Sequence, residues 1–158
     1  MMITPEIRKE IENAAFKYGL DPDYVEAHIM VESSGEPQKT RFEPAFYKTY
    51  IQPLLIKNNL SPAESRGRAT SYGLLQIMGQ VARELGLEGN FNDLLTVSVG
   101  LEWGCKKLAQ CYHKYPNDIH AGISAYNCGT PRLLKNGKLK NQEYVDKVLG
   151  FLKQIKGE

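Results

Sequence analysis

Apolar residues recur at helical spacing over most of the chain, and start and stop signals bracket each run. Ile7, Ile11, Ala14, Ala15 and Tyr18 share one helical face; Thr4-Pro5-Glu6 opens that segment and Gly19 closes it. Asp21-Pro22-Asp23 restarts the same grammar, and Tyr24, Val25, His28, Ile29 and Val31 lead into Glu32, with Gly35 as the stop. Glu32 is therefore expected in the last turn of a well-signalled helix. The pattern predicts a third helix over about Ala45 to Asn59, started by Pro44 and disturbed by Pro53, and Ser61-Pro62-Ala63-Glu64 reads as a capping box opening a short helical segment. From Arg66 to Met78 glycine and serine punctuate the chain, and Tyr72 to Met78 reads as a short extended piece or a tight loop. Helices are expected again over Gln80–Leu85, Thr96 to about Tyr115, Asp118–Asn127 and Asn141 to about Ile155. With no repeat, low-complexity stretch or linker, the expected fold is mainly α, a single domain over residues 1–158 with at most a small β-hairpin.

Composition narrows the functional classes. The 158 residues suffice for one core, and 42% hydrophobic with 24% charged residues is ordinary for a globular protein. A net charge of +2, from 20 basic and 18 acidic residues, is too even for a nucleic-acid binder and mildly favourable towards an anionic polymer. Met1-Met2-Ile3-Thr4-Pro5-Glu6 has no basic stretch followed by an apolar one, so no signal peptide is read there. No apolar run approaches the roughly 18 residues of a membrane span. Cys105, Cys111 and Cys128 are odd in number and lack CxxC or Cys/His metal spacing. That argues against a disulfide scaffold or a zinc site; reduced thiols packing as small apolar groups are expected, with one disulfide left open. No motif implies a metal or an organic cofactor.

The sharpest chemical candidate is Glu32, within Ala27-His28-Ile29-Met30-Val31-Glu32-Ser33-Ser34-Gly35. An acid that follows an apolar helical stretch is partly desolvated, which keeps its carboxyl protonated and able to act as a general acid. The competing reading is a solvated glutamate at a helix end, where the helix dipole disfavours negative charge. Three further segments follow in order: Gly73-Leu74-Leu75-Gln76-Ile77-Met78, Ala125-Tyr126-Asn127-Cys128-Gly129 and Tyr144-Val145-Asp146-Lys147-Val148. Together with Glu32-Ser33 they resemble the soluble lytic murein transglycosylase family, of lysozyme-like fold, from about Leu20 to Val148.

The resemblance implies a lysozyme-like domain with its hairpin near an active-site cleft. It implies Glu32 as catalytic acid/base and Ser33, Gln76, Met78, Tyr126, Asn127 and Tyr144 as substrate-site residues, with peptidoglycan glycan strands as the partner and a monomer as the working form. It also implies lytic transglycosylation, in which one carboxylate suffices because the substrate supplies both the stabilising acetamido group and the attacking 6-hydroxyl. Two departures stand out. The chain between Ser34 and Gly73 is far longer than the family's usual connection; this insert, over residues 36–70, includes Arg41-Phe42-Glu43-Pro44-Ala45-Phe46-Tyr47. It would wall the cleft, offer Phe46 or Tyr47 to sugars, or pack outside. Cys128 stands where the family usually has a smaller residue, and no histidine supports it as a nucleophile.

Two rival functions remain at this stage. A muramidase of the same fold would need a second carboxylate to activate water, and Glu43 is the candidate; its alternative is a structural acid paired with Arg41 at a helix start. A non-catalytic wall-binding or assembly module would have no use for a proton donor. The expected site of action is the bacterial cell wall, reached as a phage lysin, as cargo of a secretion machine or as a mature exported domain.

Overall fold

The helix signals act where the sequence places them. In the computed structural model, which describes residues 3–158, the Thr4 hydroxyl caps α1 (Pro5–Lys17) by accepting a hydrogen bond from the Ile7 amide at 3.2 Å. The Asp21 carboxylate does the same for α2 (Pro22–Ser33) through the Asp23 amide at 2.9 Å. Each cap satisfies an amide that the first helical turn leaves without a partner. Beyond α2, strand β1 (Thr40–Phe42) precedes the segment expected as one long helix, and here the structure corrects the expectation. Residues 44–57 form α3 (Pro44–Phe46), a π-helical turn over Tyr47–Ile51 and α4 (Leu54–Lys57). Pro53 lacks an amide hydrogen and crowds the turn before it. The backbone widens there, and the Gln52 amide reaches the Tyr47 carbonyl at 2.8 Å.

After α5 (Pro62–Arg68), capped by Ser61, come β2 (Thr70–Tyr72) and β3 (Ile77–Met78), then α6 (Gly79–Glu84) and a 3-10 turn over Phe91–Leu95 that the sequence pattern does not signal. Helices α7 (Val97–Lys114), α8 (Ile119–Cys128) and α9 (Gln142–Lys156) complete the chain. The fold is mainly helical as expected, and the hairpin gains a third strand from the insert: the sheet runs β1-β2-β3, antiparallel throughout. Alternation sorts its faces. Tyr72 and Ile77, paired across β2 and β3, are buried with Ala82, Leu87 and Leu94. Arg41, Ser71 and Met78, also cross-strand neighbours, share the other face.

Three apolar clusters meet around α2 and α7. Val25 and Ile29 of α2 pack with Ile11, Leu74, Leu75 and Leu108, whereas Ala27 on another side packs with Ile123, Val145 and Val148. A helix apolar on most sides sits in the middle of a core, so α2 delivers its last turn from a rigid, enclosed position. The three cysteines are free, with Cys105 in the core, Cys111 half-buried and Cys128 exposed. Burial pushes the Cys105 thiol up to about 12, consistent with an inert packing role. Among the described residues no helix is long and apolar enough to cross a membrane.

Close approach of α7 to the preceding turn depends on Gly100, where an added Cβ would lie 2.5 Å from the Leu94 carbonyl oxygen. Alanine gains about 1 kcal/mol over glycine in a helix interior, but overpacking against main chain costs roughly 1–3 kcal/mol. Gly100→Ala is therefore expected to be net destabilised, measured by urea unfolding. A variant as stable as the parent would show that the 91–95 turn yields without cost.

Candidate active site

Glu32 stands in the last turn of α2, against a cleft of about 460 Å³. Helices α2, α7 and α8 contribute Glu32, Lys107, Tyr126 and Asn127 to its lining, and the sheet side contributes Lys39, Arg41, Ser71, Gln76 and Met78. Glu43, Ala45 and Phe46 extend that wall from the segment after β1. Lys39, Arg41 and Glu43 alternate along an extended chain, which is why all three face the same way. The insert therefore walls the cleft. Phe46 lies in the lining, while Tyr47 instead packs its ring against Phe42 at 5.8 Å between centroids.

The Glu32 carboxylate is held by one side chain. The Tyr144 hydroxyl, from α9, donates to Oε2 at 2.7 Å. No side chain bonds Oε1, and no buried side-chain oxygen or nitrogen lacks a partner among the described residues, so Oε1 is open to solvent in the cleft. Burial pushes the Glu32 carboxyl above its ordinary range. The Tyr144 hydrogen bond and the positive charges of Lys107, Lys39 and Arg41 pull the other way without offsetting it. One turn back on α2, His28 is fully buried; its Nδ1 lies 2.8 Å from the Tyr144 hydroxyl and its Nε2 2.8 Å from the Tyr112 hydroxyl. Burial, with a smaller contribution from Lys107, pushes that imidazole down to about 3, so it is neutral at ordinary pH.

The other residues singled out from the sequence divide by location. Gln76, Met78, Tyr126 and Asn127 line the cleft. Gln76 holds a left-handed backbone (φ 47°), uncommon for a non-glycine residue. Both hydrogens of its amide nitrogen are committed, to the Lys39 carbonyl at 3.0 Å and the Gly73 carbonyl at 2.9 Å, which leaves its carbonyl oxygen for a ligand. The Tyr126 hydroxyl is likewise taken, donating to the Leu75 carbonyl at 2.6 Å, and Asn127 accepts from Asn141 at 2.9 Å. Ser33 and Tyr144, expected as substrate-site residues, are not among the side chains that line the cleft. Ser33 is buried, its hydroxyl donating to the Leu74 carbonyl at 2.8 Å and tying α2 to the β2–β3 turn; Tyr144 stands behind Glu32. Glu43 pairs with Arg41 at 3.2 Å and immediately precedes α3.

Three cleft cations escaped the sequence reading. Lys107 donates to the Tyr126 carbonyl at 2.9 Å and lies over that ring at 4.2 Å from the centroid, its ammonium pushed down by burial. The signal was its place three residues after the buried Gly104, on the flank of the apolar stripe of α7. Lys39 donates to the Glu32 main-chain carbonyl at 2.6 Å, closing the end of α2. Arg41 was read only as a partner for Glu43.

The raised Glu32 carboxyl sets a pH dependence of stability. Between the ordinary carboxyl range and the raised folded value, the native protein binds more protons than the unfolded chain. Stability therefore falls as pH rises through that window and stays lowered above it. Glu32→Gln removes the titration and keeps an acceptor for Tyr144. It is expected to melt at a higher temperature than the parent at pH 7, with the difference closing as pH drops through the carboxyl range. Thermal scans across pH would refute this if the variant melted lower throughout.

Comparison with known proteins follows the same lines. The family model for the transglycosylase SLT domain matches residues 9–148. No solved structure matches the chain. With a match across nearly its whole length, on a mostly helical domain with a small antiparallel sheet, the chain belongs to the SLT transglycosylase family, whose lysozyme-like domains act on peptidoglycan.

Proposed function

We propose that this protein is a lytic transglycosylase that breaks the β-1,4 bond between N-acetylmuramic acid and N-acetylglucosamine with Glu32 as its one acid/base. The observation that carries the reading is the Glu32 carboxyl itself: desolvated, raised, held at Oε2 by Tyr144 and open to the cleft at Oε1. A carboxyl protonated near its working pH is what a poor alkoxide leaving group needs. Glu32 gives its proton to the glycosidic oxygen as the bond to the muramyl C1 breaks. The substrate's 2-acetamido group stabilises the developing positive charge at C1. The carboxylate left on Glu32 then takes the proton of the muramyl 6-hydroxyl as that oxygen bonds C1, giving a 1,6-anhydro ring and a restored Glu32. Bond and proton count both close without water.

The muramidase alternative keeps one observation in its favour, that Glu43 lines the same cleft as Glu32. Its carboxylate is engaged with Arg41 at 3.2 Å, which suits a wall residue better than a base awaiting water. Digests of purified sacculi separate the two: anhydro-muramyl ends are expected, and reducing muramic-acid ends would sink the transglycosylase reading. Glu32→Gln is expected to lower kcat by on the order of 10²–10⁴ while the protein still binds the polymer. Glu43→Gln is expected to change the rate little and the product not at all.

Activity should also follow the Glu32 proton. The reaction starts from the protonated acid, so the rate falls as pH rises through the raised Glu32 value. Tyr144→Phe removes a hydrogen bond that favours the ionised form. Its alkaline limb is expected to move to higher pH while kcat drops, as read from a pH–rate profile on the same sacculi. A limb that stays in place would mean Glu32 is not the group titrating.

A further inference from the structure

A line of four side chains runs through the protein to the cleft: half-buried Tyr112 on α7, buried His28 on α2, Tyr144 on α9 and Glu32 at the end of α2. It contains three hydrogen-bond gaps, of 2.8, 2.8 and 2.7 Å. Filling them takes three protons, and Tyr112, neutral His28 and Tyr144 supply one each. The direction of the line then decides what Glu32 can do.

If the line points towards Glu32, Tyr112 donates to Nε2, Nδ1–H donates to the Tyr144 oxygen, and Tyr144 donates to Oε2. Every proton is used. If it points the other way, Tyr144 donates to Nδ1 and Nε2–H donates to Tyr112, whose own proton is left with no acceptor, because His28 is its hydrogen-bond partner among the described residues. Tyr112 is half-buried, and a hydroxyl proton with no protein acceptor there is costly to the extent that the fold keeps solvent from it. Oε2 would also lose its donor and could satisfy Tyr144 only by carrying the acid proton itself, turned away from the cleft. The surroundings leave little room for a charged ring that could donate both ways. His28 is fully buried with the Tyr126 ring edge-on at 5.1 Å between centroids, and the Lys107 ammonium adds like charge that disfavours the imidazolium.

We infer that Tyr112 locks His28 as the Nδ1–H tautomer, and that His28 thereby orients Tyr144 as a permanent donor to Oε2, so that the acid proton of Glu32 is confined to Oε1, the oxygen open to the cleft. His28 and Tyr112 touch no substrate; they are positioning residues acting through Tyr144. The inference rests on Glu32 being the acid, but the tautomer itself is observable whether or not the enzyme cleaves anything. Because Oε2 accepts from Tyr144 in both charge states of Glu32, the line need not reverse during the reaction. Cooperative strengthening along such a line adds to the hold on Oε2.

The chain has three histidines, and the other two, His113 and His120, are exposed. Replacing both by glutamine leaves His28 as the sole imidazole in the nitrogen spectrum. The expected result is a pyrrole-type Nδ1 and a pyridine-type Nε2, uncharged and unchanged in type as Glu32 titrates. An Nε2–H ring, a charged ring at neutral pH, or a swap between tautomers during the titration would overturn the inference. Tyr112→Phe supplies the second measurement. It removes the lock without touching Glu32, so the Nδ1–H form should give way to a mixture. The alkaline limb of the pH–rate profile should move up by on the order of half a pH unit, with KM unmoved. A Tyr112→Phe protein with one tautomer and an unshifted limb would overturn the role given to Tyr112. Failure of the parent to release anhydro-muramyl products would instead count against the assigned reaction, and the spectrum would still judge the tautomer.

Discussion

The hydrogen bond from Tyr144 to Glu32 joins the protein's longest-range packing to its chemistry. The two residues lie 112 positions apart, and the 2.7 Å contact exists only because α9 packs along α2. The carboxyl it holds is raised by burial, so the folded protein carries a group that would be more comfortable in water. Tyr144 makes that tolerable at one oxygen and leaves the other free. The apolar clusters on either side of α2 then have a functional reading: Val25 and Ile29 anchor one side and Ala27 another, which fixes where the last turn ends.

Two electrostatic effects of opposite sign meet at Glu32, and their order matters. Lys107, Lys39 and Arg41 all favour the ionised form, and in water three nearby cations would depress a carboxyl clearly. Here burial is the larger effect and the carboxyl ends above its ordinary range. The three are also committed elsewhere: Lys107 to the Tyr126 carbonyl, Lys39 to the Glu32 carbonyl and Arg41 to Glu43. The cations thus offset part of the rise that burial imposes. In the proposed reaction Glu32 must both give and take one proton.

Much of this was legible in the sequence, and what was not has physical causes. Caps at Thr4, Asp21 and Ser61 are local chemistry, so helix starts could be read from a few residues. Glu32 was legible as an acid ending an apolar helix. The partners that tune it were less so: Tyr144 was read as a substrate-site residue, but its pairing with His28 and Glu32 is a product of helix packing that no local pattern encodes. Gln76 shows the same limit. Its residue type advertises two donors for sugars, yet a left-handed backbone turns both onto the Lys39 and Gly73 carbonyls. Strand β1 went unread because three residues, Thr40-Arg41-Phe42, carry too little alternation to signal a strand until β2 lies beside them. The break after Phe46 was half visible in Pro53, but the widened turn that answers it was not.

The insert sharpens the case for a single working carboxylate. Alternation along β1 and the residue on either side of it sets Lys39, Arg41 and Glu43 on one face, so a single extended segment brings two cations and an acid to the wall of the cleft. An acid two residues from an arginine on the same face of an extended chain is within reach of it, and Glu43 takes that partner. Glu43 is thus engaged in an ion pair, and the same arginine adds its positive charge near Glu32. The two acids of the cleft therefore have different environments: Glu32 is desolvated, with one neutral donor, whereas Glu43 is paired with a full charge. Such a split suits the proposed one-carboxylate mechanism, in which proton transfer falls to the first acid and the second belongs to the wall.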